Sequence, residues 1–174
     1  MQMLKDAILE RGKALNQDIL LVDSFLNHQV DVALMKAVGE TFAEHFANQG
    51  ITRVVTIESS GIAPASFTAL ALGLPLVIMK KQTSRILNGD LLQTTVRSFT
   101  KGTEYQLSVK HEFLNADDNI LLIDDFLASG EAAFGVITLA EQVGAKIGGV
   151  GIVIEKAFQS GHKRLEDAGI DVYS

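Results

Sequence analysis

Residues 119–132 read Asn119-Ile-Leu-Leu-Ile-Asp124-Asp125-Phe-Leu-Ala128-Ser129-Gly130-Glu131-Ala132. The apolar run is short and contains branched residues, which favours a buried parallel strand over a helix. Two adjacent acids follow the run, and a loop of small residues then opens a predicted helix from about residue 131 to 143. Because open α/β sheets bind ligands at the carboxyl ends of their strands, we expect a ligand site at this point.

The residue types in this segment indicate what the site binds. A loop of small residues can offer several backbone N–H groups to one phosphate, and the N-terminus of the following helix favours the same anion. Asp124 and Asp125 can accept hydrogen bonds from sugar hydroxyls. The alternative is that one acid caps the turn while the other is solvated, but two acids beside such a loop favour contact with a ribose phosphate.

Alternating strand and helix patterns recur along the chain and predict an α/β fold. The predicted strands are 53–57, 74–79, 119–124 and 147–154. Asp31 is expected to cap a helix that runs to about Ala47, and Gly73 and Gly144 are expected to close two later helices. Strand–helix–strand units of this kind give a mostly parallel twisted sheet flanked by helices.

Two other regions have weaker patterns. An amphipathic helix near residues 3–14 would place Leu4, Ile8 and Leu9 on one face. A polar stretch runs from Lys80 to about Asp90, and alternating segments near 92–99 and 105–109 then predict a hairpin around Lys101-Gly102.

Size and composition exclude several classes of protein. The 174 residues fit one domain, and the absence of cysteine excludes disulfides and thiolate metal sites. A net charge of −6 argues against a nucleic-acid-binding surface. No apolar run approaches the roughly 20 residues that cross a bilayer, and the first residues lack a secretory signal pattern, so we expect a cytoplasmic protein with no membrane partner.

The sequence also resembles a known family over nearly its whole length. The matching segments, besides residues 119–132, are Leu21-Val-Asp-Ser-Phe-Leu-Asn27-His-Gln-Val-Asp31, Thr56-Ile-Glu58-Ser59-Ser60-Gly61-Ile-Ala-Pro64 and Val153-Ile-Glu155-Lys156. These segments are similar to type I phosphoribosyltransferases, and among them to the bacterial enzymes that use xanthine.

The resemblance implies an activity. It is the Mg²⁺-dependent transfer of the 5-phosphoribosyl group from phosphoribosyl pyrophosphate (PRPP) to N9 of xanthine, giving XMP and pyrophosphate in purine salvage, by a homodimer. The Mg²⁺ is expected to be held mainly by PRPP and water, since Mg²⁺ keeps several waters. Three alternatives stay open: transfer to guanine or hypoxanthine, a non-catalytic PRPP-sensing regulator of the same fold, and a phosphoacceptor receiver domain, which ranks last because its acids come early in the fold.

The resemblance also assigns roles to residues. Asp124 and Asp125 are expected to be catalytic through the ribose hydroxyls. The remaining assignments are PRPP binding by Ala128, Ser129, Gly130, Glu131 and Ala132, pyrophosphate binding by Ser59, Ser60, Gly61 and Lys81, and xanthine binding by Leu20, Asn27 and Lys156. The ammonium of Lys156 only donates hydrogen bonds, which favours an oxo base over adenine, and Phe126 is a candidate to pack on the purine ring.

Two features of the loop depart from the family pattern. Glu131 brings a negative charge close to a phosphate dianion, so we expect its side chain to point outward and to favour the helix dipole. Several hypoxanthine-guanine relatives carry an acid where this chain has Ala128, so the resemblance leaves open whether a side chain acts as a general base on the purine.

The resemblance further predicts how the single domain is divided. Residues from about 1 to 30 are expected to contribute a hood over the purine. Residues from about 80 to 110 are expected to form a mobile loop and hairpin, with Lys80, Lys81 and Arg85 at its start. The chain stops at Ser174 where similar proteins continue, either as a trimmed chain or as a short homologue, and the additional part is a candidate to complete the purine cover.

Overall fold

The computed structural model describes residues 1–82, 90–98 and 102–174. Arg85, predicted at the start of the mobile loop, and Lys101, predicted in the hairpin turn, lie outside these residues. The strands are β1 Lys13–Ala14, β2 Leu20–Leu21, β3 Arg53–Ile57, β4 Leu76–Gln82, β5 Leu91–Ser98, β6 Thr103–Lys110, β7 Asn119–Leu127, β8 Lys146–Glu155 and β9 Val172–Tyr173. The α-helices are α1 Gln2–Arg11, α2 Val32–Phe46, α3 Ile62–Leu72, α4 Glu131–Val143 and α5 Gly161–Asp167. A π-helical turn at Asp23–Asn27 and a 3-10 turn at His111–Phe113 complete the secondary structure of these residues.

A seven-stranded sheet in the order β5-β6-β4-β3-β7-β8-β9 organises the chain. Strands β4, β3, β7, β8 and β9 are mutually parallel, whereas β6 pairs antiparallel with both β4 and β5. The prediction of an α/β fold with a mostly parallel sheet between helices is therefore confirmed. Parallel strands bring the carboxyl ends of β3 and β7 to the same edge of the sheet, where the predicted ligand-binding loops begin.

Buried side chains cover both faces of this sheet. One cluster joins α1, α2 and α3 to the sheet, and a second cluster joins α4 and the β5–β6 hairpin to the opposite face. Glycines of β8 let α2 approach closely, because a Cβ at Gly149 would lie 2.3 Å from Cε1 of Phe46 and one at Gly151 would lie 3.1 Å from Cδ1 of Phe42. The aromatic rings of α2 thus pack directly on the strand backbone.

The predicted helix boundaries agree with the structure where capping residues define them. The Asp31 side chain accepts a hydrogen bond from the Leu34 N–H at 3.1 Å, which caps α2. Gly73 and Gly144 end α3 and α4 with φ of 66° and 78°, a left-handed conformation that glycine adopts without steric cost.

The predicted boundaries of the first helix and of β4 were wrong. The first helix ends at Arg11, because the chain turns at Gly12 so that β1 pairs antiparallel with β2. Leu9 is 82% exposed and does not share the packed face of Leu4 and Ile8. Lys80 and Lys81 belong to β4, because backbone hydrogen bonds to β6 extend that strand to Gln82. Across the described ranges, no helix combines the length and the apolar character that crossing a bilayer requires.

Candidate active site

The acid pair lies within β7, which continues to Leu127 and does not end at residue 124 as predicted. Asp124 is opposite Ile152 of β8 in the parallel register. One carboxylate oxygen of Asp124 accepts from the Asp125 N–H at 2.9 Å, and one oxygen of Asp125 accepts from the Phe126 N–H at 2.9 Å. These bonds orient the two side chains and leave each a second oxygen that can bind a ligand.

Burial raises the pKa of the Asp124 carboxyl well above its usual value. The neighbouring negative charge of Asp125 raises this pKa further, whereas the Lys81 ammonium acts in the opposite direction. The ionised form of Asp124 is therefore destabilised in the empty site, since it lacks the water that solvates an exposed carboxylate. A ligand that donates hydrogen bonds to this oxygen would supply the missing stabilisation.

A cavity of about 280 Å³ opens beside Asp124. The loop of small residues forms one wall, and side chains of the β5–β6 hairpin form another. Among the described residues, Asp124 borders the cavity and Asp125 does not. The residues that border it are Lys81, Val96, Thr103, Tyr105, Asp124, Phe126, Leu127, Ala128, Ser129, Gly130, Glu131, Ala132, Ala133 and Ile152.

The loop Ala128–Ala132 has the geometry that anion binding needs. Gly130 takes a φ of 89°, which only glycine adopts readily, and it is the N-terminal cap of α4. The N-terminus of α4 is thereby directed toward the cavity, where its free N–H groups favour an anion. Glu131 borders the cavity and its carboxylate pairs with Nη1 of Arg164 from α5 at 2.5 Å, and its outward orientation stays a prediction.

The loop Ser59–Gly61 follows β3 and lies against Asp124. A Cβ at Gly61 would lie 3.0 Å from Oδ1 of Asp124 and 2.5 Å from Oγ1 of Thr56, so the loop backbone touches both side chains. The peptide bond between Glu58 and Ser59 is cis. The Glu58 carboxylate accepts from the Lys81 N–H at 2.7 Å, which joins this loop to β4 and to the predicted pyrophosphate residue Lys81.

The predicted purine-binding residues lie beside the last long strand. The Lys156 N–H donates to the Leu127 carbonyl at 2.9 Å, and Nζ lies 5.6 Å from the centroid of the Phe126 ring. Nζ also donates to the Asp18 carbonyl at 2.6 Å, which connects Lys156 to the segment that carries Leu20. The structure thus brings Lys156, Phe126 and the Asp18–Leu20 segment together. Asn27 ends the π-helical turn with an exposed side chain.

The hairpin residues that complete the cavity carry no distinctive pattern in the sequence. Thr103 and Tyr105 border the cavity on the side of the hairpin, and Nζ of Lys81 lies 5.4 Å from the Tyr105 ring centroid. Burial, together with the charge of Asp124, raises the pKa of Tyr105 to about 12, so its phenol stays protonated and can donate a hydrogen bond. The only signal in the sequence was an aromatic residue in an alternating segment, which equally fits a packing role.

The carboxylates of the acid pair supply the oxygen ligands that a hydrated Mg²⁺ prefers. Within the described ranges, no group of three or more acidic or histidine side chains is arranged to hold a metal ion. Asp124 and Asp125 can orient a hydrated Mg²⁺ or the hydroxyls next to it, while phosphate oxygens of the substrate complete the oxygen ligands that Mg²⁺ prefers.

Comparisons with known proteins define the class of protein to which this site belongs. The sequence model of the family described as "Phosphoribosyl transferase domain" matches residues 16–171. The fold is similar to that of an adenine phosphoribosyltransferase from Giardia lamblia, with a TM-score of 0.82 at 24% identity, covering 98% of this chain and 95% of the other. The enzyme from Thermoanaerobacter pseudethanolicus is similar with a TM-score of 0.79 at 18% identity, covering 98% and 97% of the two chains.

Sequence relatives narrow the class further. The chain is 59% identical to a xanthine phosphoribosyltransferase of Clostridium botulinum and 55% identical to one of Clostridium acetobutylicum, covering all of this chain and 92% of each relative. It is 52% identical to that of Listeria monocytogenes, covering 91% of the relative. The chain therefore belongs to the phosphoribosyltransferase family, among the xanthine phosphoribosyltransferases.

Proposed function

We propose that this chain transfers the 5-phosphoribosyl group from PRPP to N9 of xanthine, giving XMP and pyrophosphate in purine salvage. One observation carries the proposal: Asp124 and the loop Ala128–Ala132 border the same cavity at the carboxyl end of β7. Hydroxyl acceptors and phosphate donors thus lie side by side, as a ribose 5-phosphate requires. The relatives of 52–59% identity that are named xanthine phosphoribosyltransferase support the choice of base.

The acid pair and the loop divide the ribose phosphate between them. Asp124 and Asp125 accept hydrogen bonds from the ribose hydroxyls, while backbone N–H groups of Ala128–Ala132 hold the 5′-phosphate. The negative charges of Asp124 and Asp125 also lie near the anomeric carbon of the bound ribose, which becomes positive as pyrophosphate departs. Fixed charges of this kind stabilise a developing opposite charge more effectively than water does.

The leaving group is assigned to the other loop. Ser59, Ser60 and Gly61 donate to the pyrophosphate, and the Lys81 ammonium, which borders the cavity, balances its charge. Phosphoribosyltransferases of this type use Mg²⁺ with PRPP. When bound, the Mg²⁺ neutralises phosphate charge, and Asp124 and Asp125 are the residues that would orient its water ligands or the adjacent hydroxyls.

Xanthine is assigned to the residues around Lys156. The ammonium donates to an exocyclic oxygen of the base, Phe126 packs on the ring, and Leu20 and Asn27 contribute to the cover. Lys156 already holds the Asp18 carbonyl at 2.6 Å, so one side chain connects the base site with its cover. No side-chain acid occupies position 128, which fits a base that ionises without an enzyme group.

An assay with purified protein, PRPP and Mg²⁺ tests the proposal. Xanthine, guanine, hypoxanthine and adenine are supplied in turn, and nucleotide formation is followed by chromatography. We expect xanthine to give the highest kcat/KM, and a reaction without PRPP serves as the control. Absence of XMP contradicts the proposal, whereas a higher kcat/KM with guanine or hypoxanthine moves the chain to the alternative base.

The Lys156→Met variant tests the base assignment. Methionine keeps most of the apolar stem and removes the charged donor, so KM for xanthine is expected to rise about 10- to 150-fold, the effect of losing one charge-assisted hydrogen bond. The KM for PRPP should change little. Lys146→Met, at the exposed start of β8, the strand that directly precedes Lys156, is the matched control. An equal rise in KM for both substrates in Lys156→Met would argue against this role.

We further propose that the chain acts as a homodimer in the cytoplasm, with residues from about 1 to 30 as the hood. Light scattering of the purified protein tests the first point and should give twice the mass of the chain. A mass equal to that of one chain would exclude the dimer.

A further inference from the structure

Helix α5 packs directly on the phosphate loop, and none of its described residues borders the cavity. Its first residue, Gly161, donates its N–H to the Ala128 carbonyl at 3.0 Å, and a Cβ there would lie 2.4 Å from that oxygen. The guanidinium of Arg164, one turn later, reaches the loop at two points. Nη1 donates to the Ser129 carbonyl and to the Glu131 carboxylate, both at 2.5 Å.

A third contact fixes the position of the guanidinium. Its carbon lies 4.5 Å from the centroid of the Phe134 ring, which belongs to the first turn of α4. A cation at this distance from an aromatic face is attracted to it. Arg164 is therefore held by a carbonyl, a carboxylate and a ring, all of which come from the loop and the helix that it opens.

The two hydrogen bonds from Arg164 reduce two sources of electrostatic repulsion between the loop and a bound phosphate. A free carbonyl directed at a phosphate would repel it, and the bond to Arg164 holds the Ser129 carbonyl toward α5. An unpaired carboxylate at Glu131, which borders the cavity, would also repel a phosphate dianion. Arg164 neutralises that charge, with 39% of the Arg164 side chain and 22% of the Glu131 side chain exposed.

We propose that Arg164 is a positioning residue for the sugar phosphate: it sets the orientation of the Ala128–Ala132 loop and cancels the charge of Glu131, and thereby determines the affinity for PRPP. This inference rests on the proposed function, since it names how the same site holds its 5′-phosphate. Arg164 acts through the loop, because its contacts are to Ser129, Glu131 and Phe134.

The charge argument makes a specific prediction about paired substitutions. Arg164→Gln leaves Glu131 uncompensated, so KM for PRPP should rise about tenfold or more, the scale of one charge-assisted hydrogen bond, while KM for xanthine stays within about twofold. Adding Glu131→Gln removes the repulsive charge, so the double variant should recover most of the lost affinity. Glu131→Gln alone removes the negative charge beside the phosphate site while Arg164 can still bond the Ser129 carbonyl, so KM for PRPP should fall.

A matched control comes from the same helix. Lys163 forms an exposed ion pair with Asp167 at 2.9 Å, away from the loop, so Lys163→Gln should behave like the unmodified protein. Arg164→Lys keeps the charge and loses the fork of donors, and we expect an intermediate KM. Melting temperatures of all variants separate a folding defect from a change in the loop, and Arg164→Lys with Glu131→Gln still tests the charge argument if Arg164→Gln does not fold.

Calorimetric binding of PRPP with Mg²⁺, without any base, makes the result independent of the base assignment. A tenfold weaker Kd for Arg164→Gln, reversed by Glu131→Gln, supports the inference even if the preferred base is not xanthine. A Kd equal to that of the unmodified protein overturns it. So does an equal loss for both substrates without recovery in the double variant, because a purely structural role would produce that pattern.

Discussion

Asp124→Asn is expected to lower kcat/KM about 10- to 150-fold and, at neutral pH, to raise the melting temperature. The loss follows from weakening one charge-assisted hydrogen bond to the ribose, if that bond persists in the transition state. Asparagine keeps a carbonyl oxygen that can accept from the Asp125 N–H, the bond that Asp124 makes at 2.9 Å. The local geometry is thus retained while the charge is removed.

The gain in stability follows from the raised pKa of Asp124. Burial and the neighbouring Asp125 raise the folded-state pKa well above that of the unfolded chain. The folded state therefore holds the Asp124 proton more tightly, and its stability falls as pH rises from about 4 through the folded-state pKa. Asp124→Asn removes this loss, so its advantage in melting temperature should be largest at neutral pH and should shrink toward pH 4.

Steady-state kinetics and thermal melts at several pH values test both effects. A domain of this size shifts by about 2–4 °C for each kcal/mol, so the change is measurable. The exposed Asp117→Asn on the preceding turn is the control and should alter neither quantity. The double variant Asp124→Asn with Asp125→Asn should lose about two to four decades of kcat/KM. A lower melting temperature at neutral pH, or an unchanged kcat/KM, would contradict the assignment of Asp124.

Gly61→Ala should reduce kcat/KM at least about tenfold, through a steric effect on both halves of the site. Gly61 has a φ of −68° and a ψ of −14°, a conformation that alanine adopts readily, so backbone strain is not the cause. The added methyl would lie 2.5 Å from Oγ1 of Thr56 and 3.0 Å from Oδ1 of Asp124. Overpacking of this kind costs about 1–3 kcal/mol, and a displacement of about 1 Å at reacting groups can cost 100-fold in rate.

A second substitution separates the steric cause from a general loss of stability. Thr56 is fully buried, so Thr56→Ala frees space on one side of the new methyl, and the variant Thr56→Ala with Gly61→Ala should recover part of the activity. Ser66→Ala, at an exposed position of α3, the helix that Gly61 precedes, serves as the control. If Gly61→Ala keeps full kcat/KM, the Ser59–Gly61 loop does not support Asp124 in the way that we infer.

Local patterns predicted most of the fold because local interactions define those elements. Strand Arg53–Ile57 coincides with a run rich in β-branched residues. Helix Glu131–Val143 is bounded by Gly130 and Gly144, which both adopt a left-handed conformation. Errors arose where a distant partner decides the boundary. Strand β4 extends through Lys81 because β6 supplies its hydrogen bonds, and the two-residue strands β1 and β2 are too short to show any periodicity.

The site divides in the same way. Three features of the sequence lie next to buried strands: the acid pair, the small loop after it and the lysine after β8. The sequence alone therefore placed Asp124, Ser129 and Lys156 at one edge of a parallel sheet. Only the tertiary structure decided that Tyr105 borders the same cavity and that Arg164 neutralises Glu131. Tyr105 precedes Asp124 by 19 residues, and Arg164 follows Glu131 by 33 residues. Packing between such separate elements leaves no periodic signal in the chain.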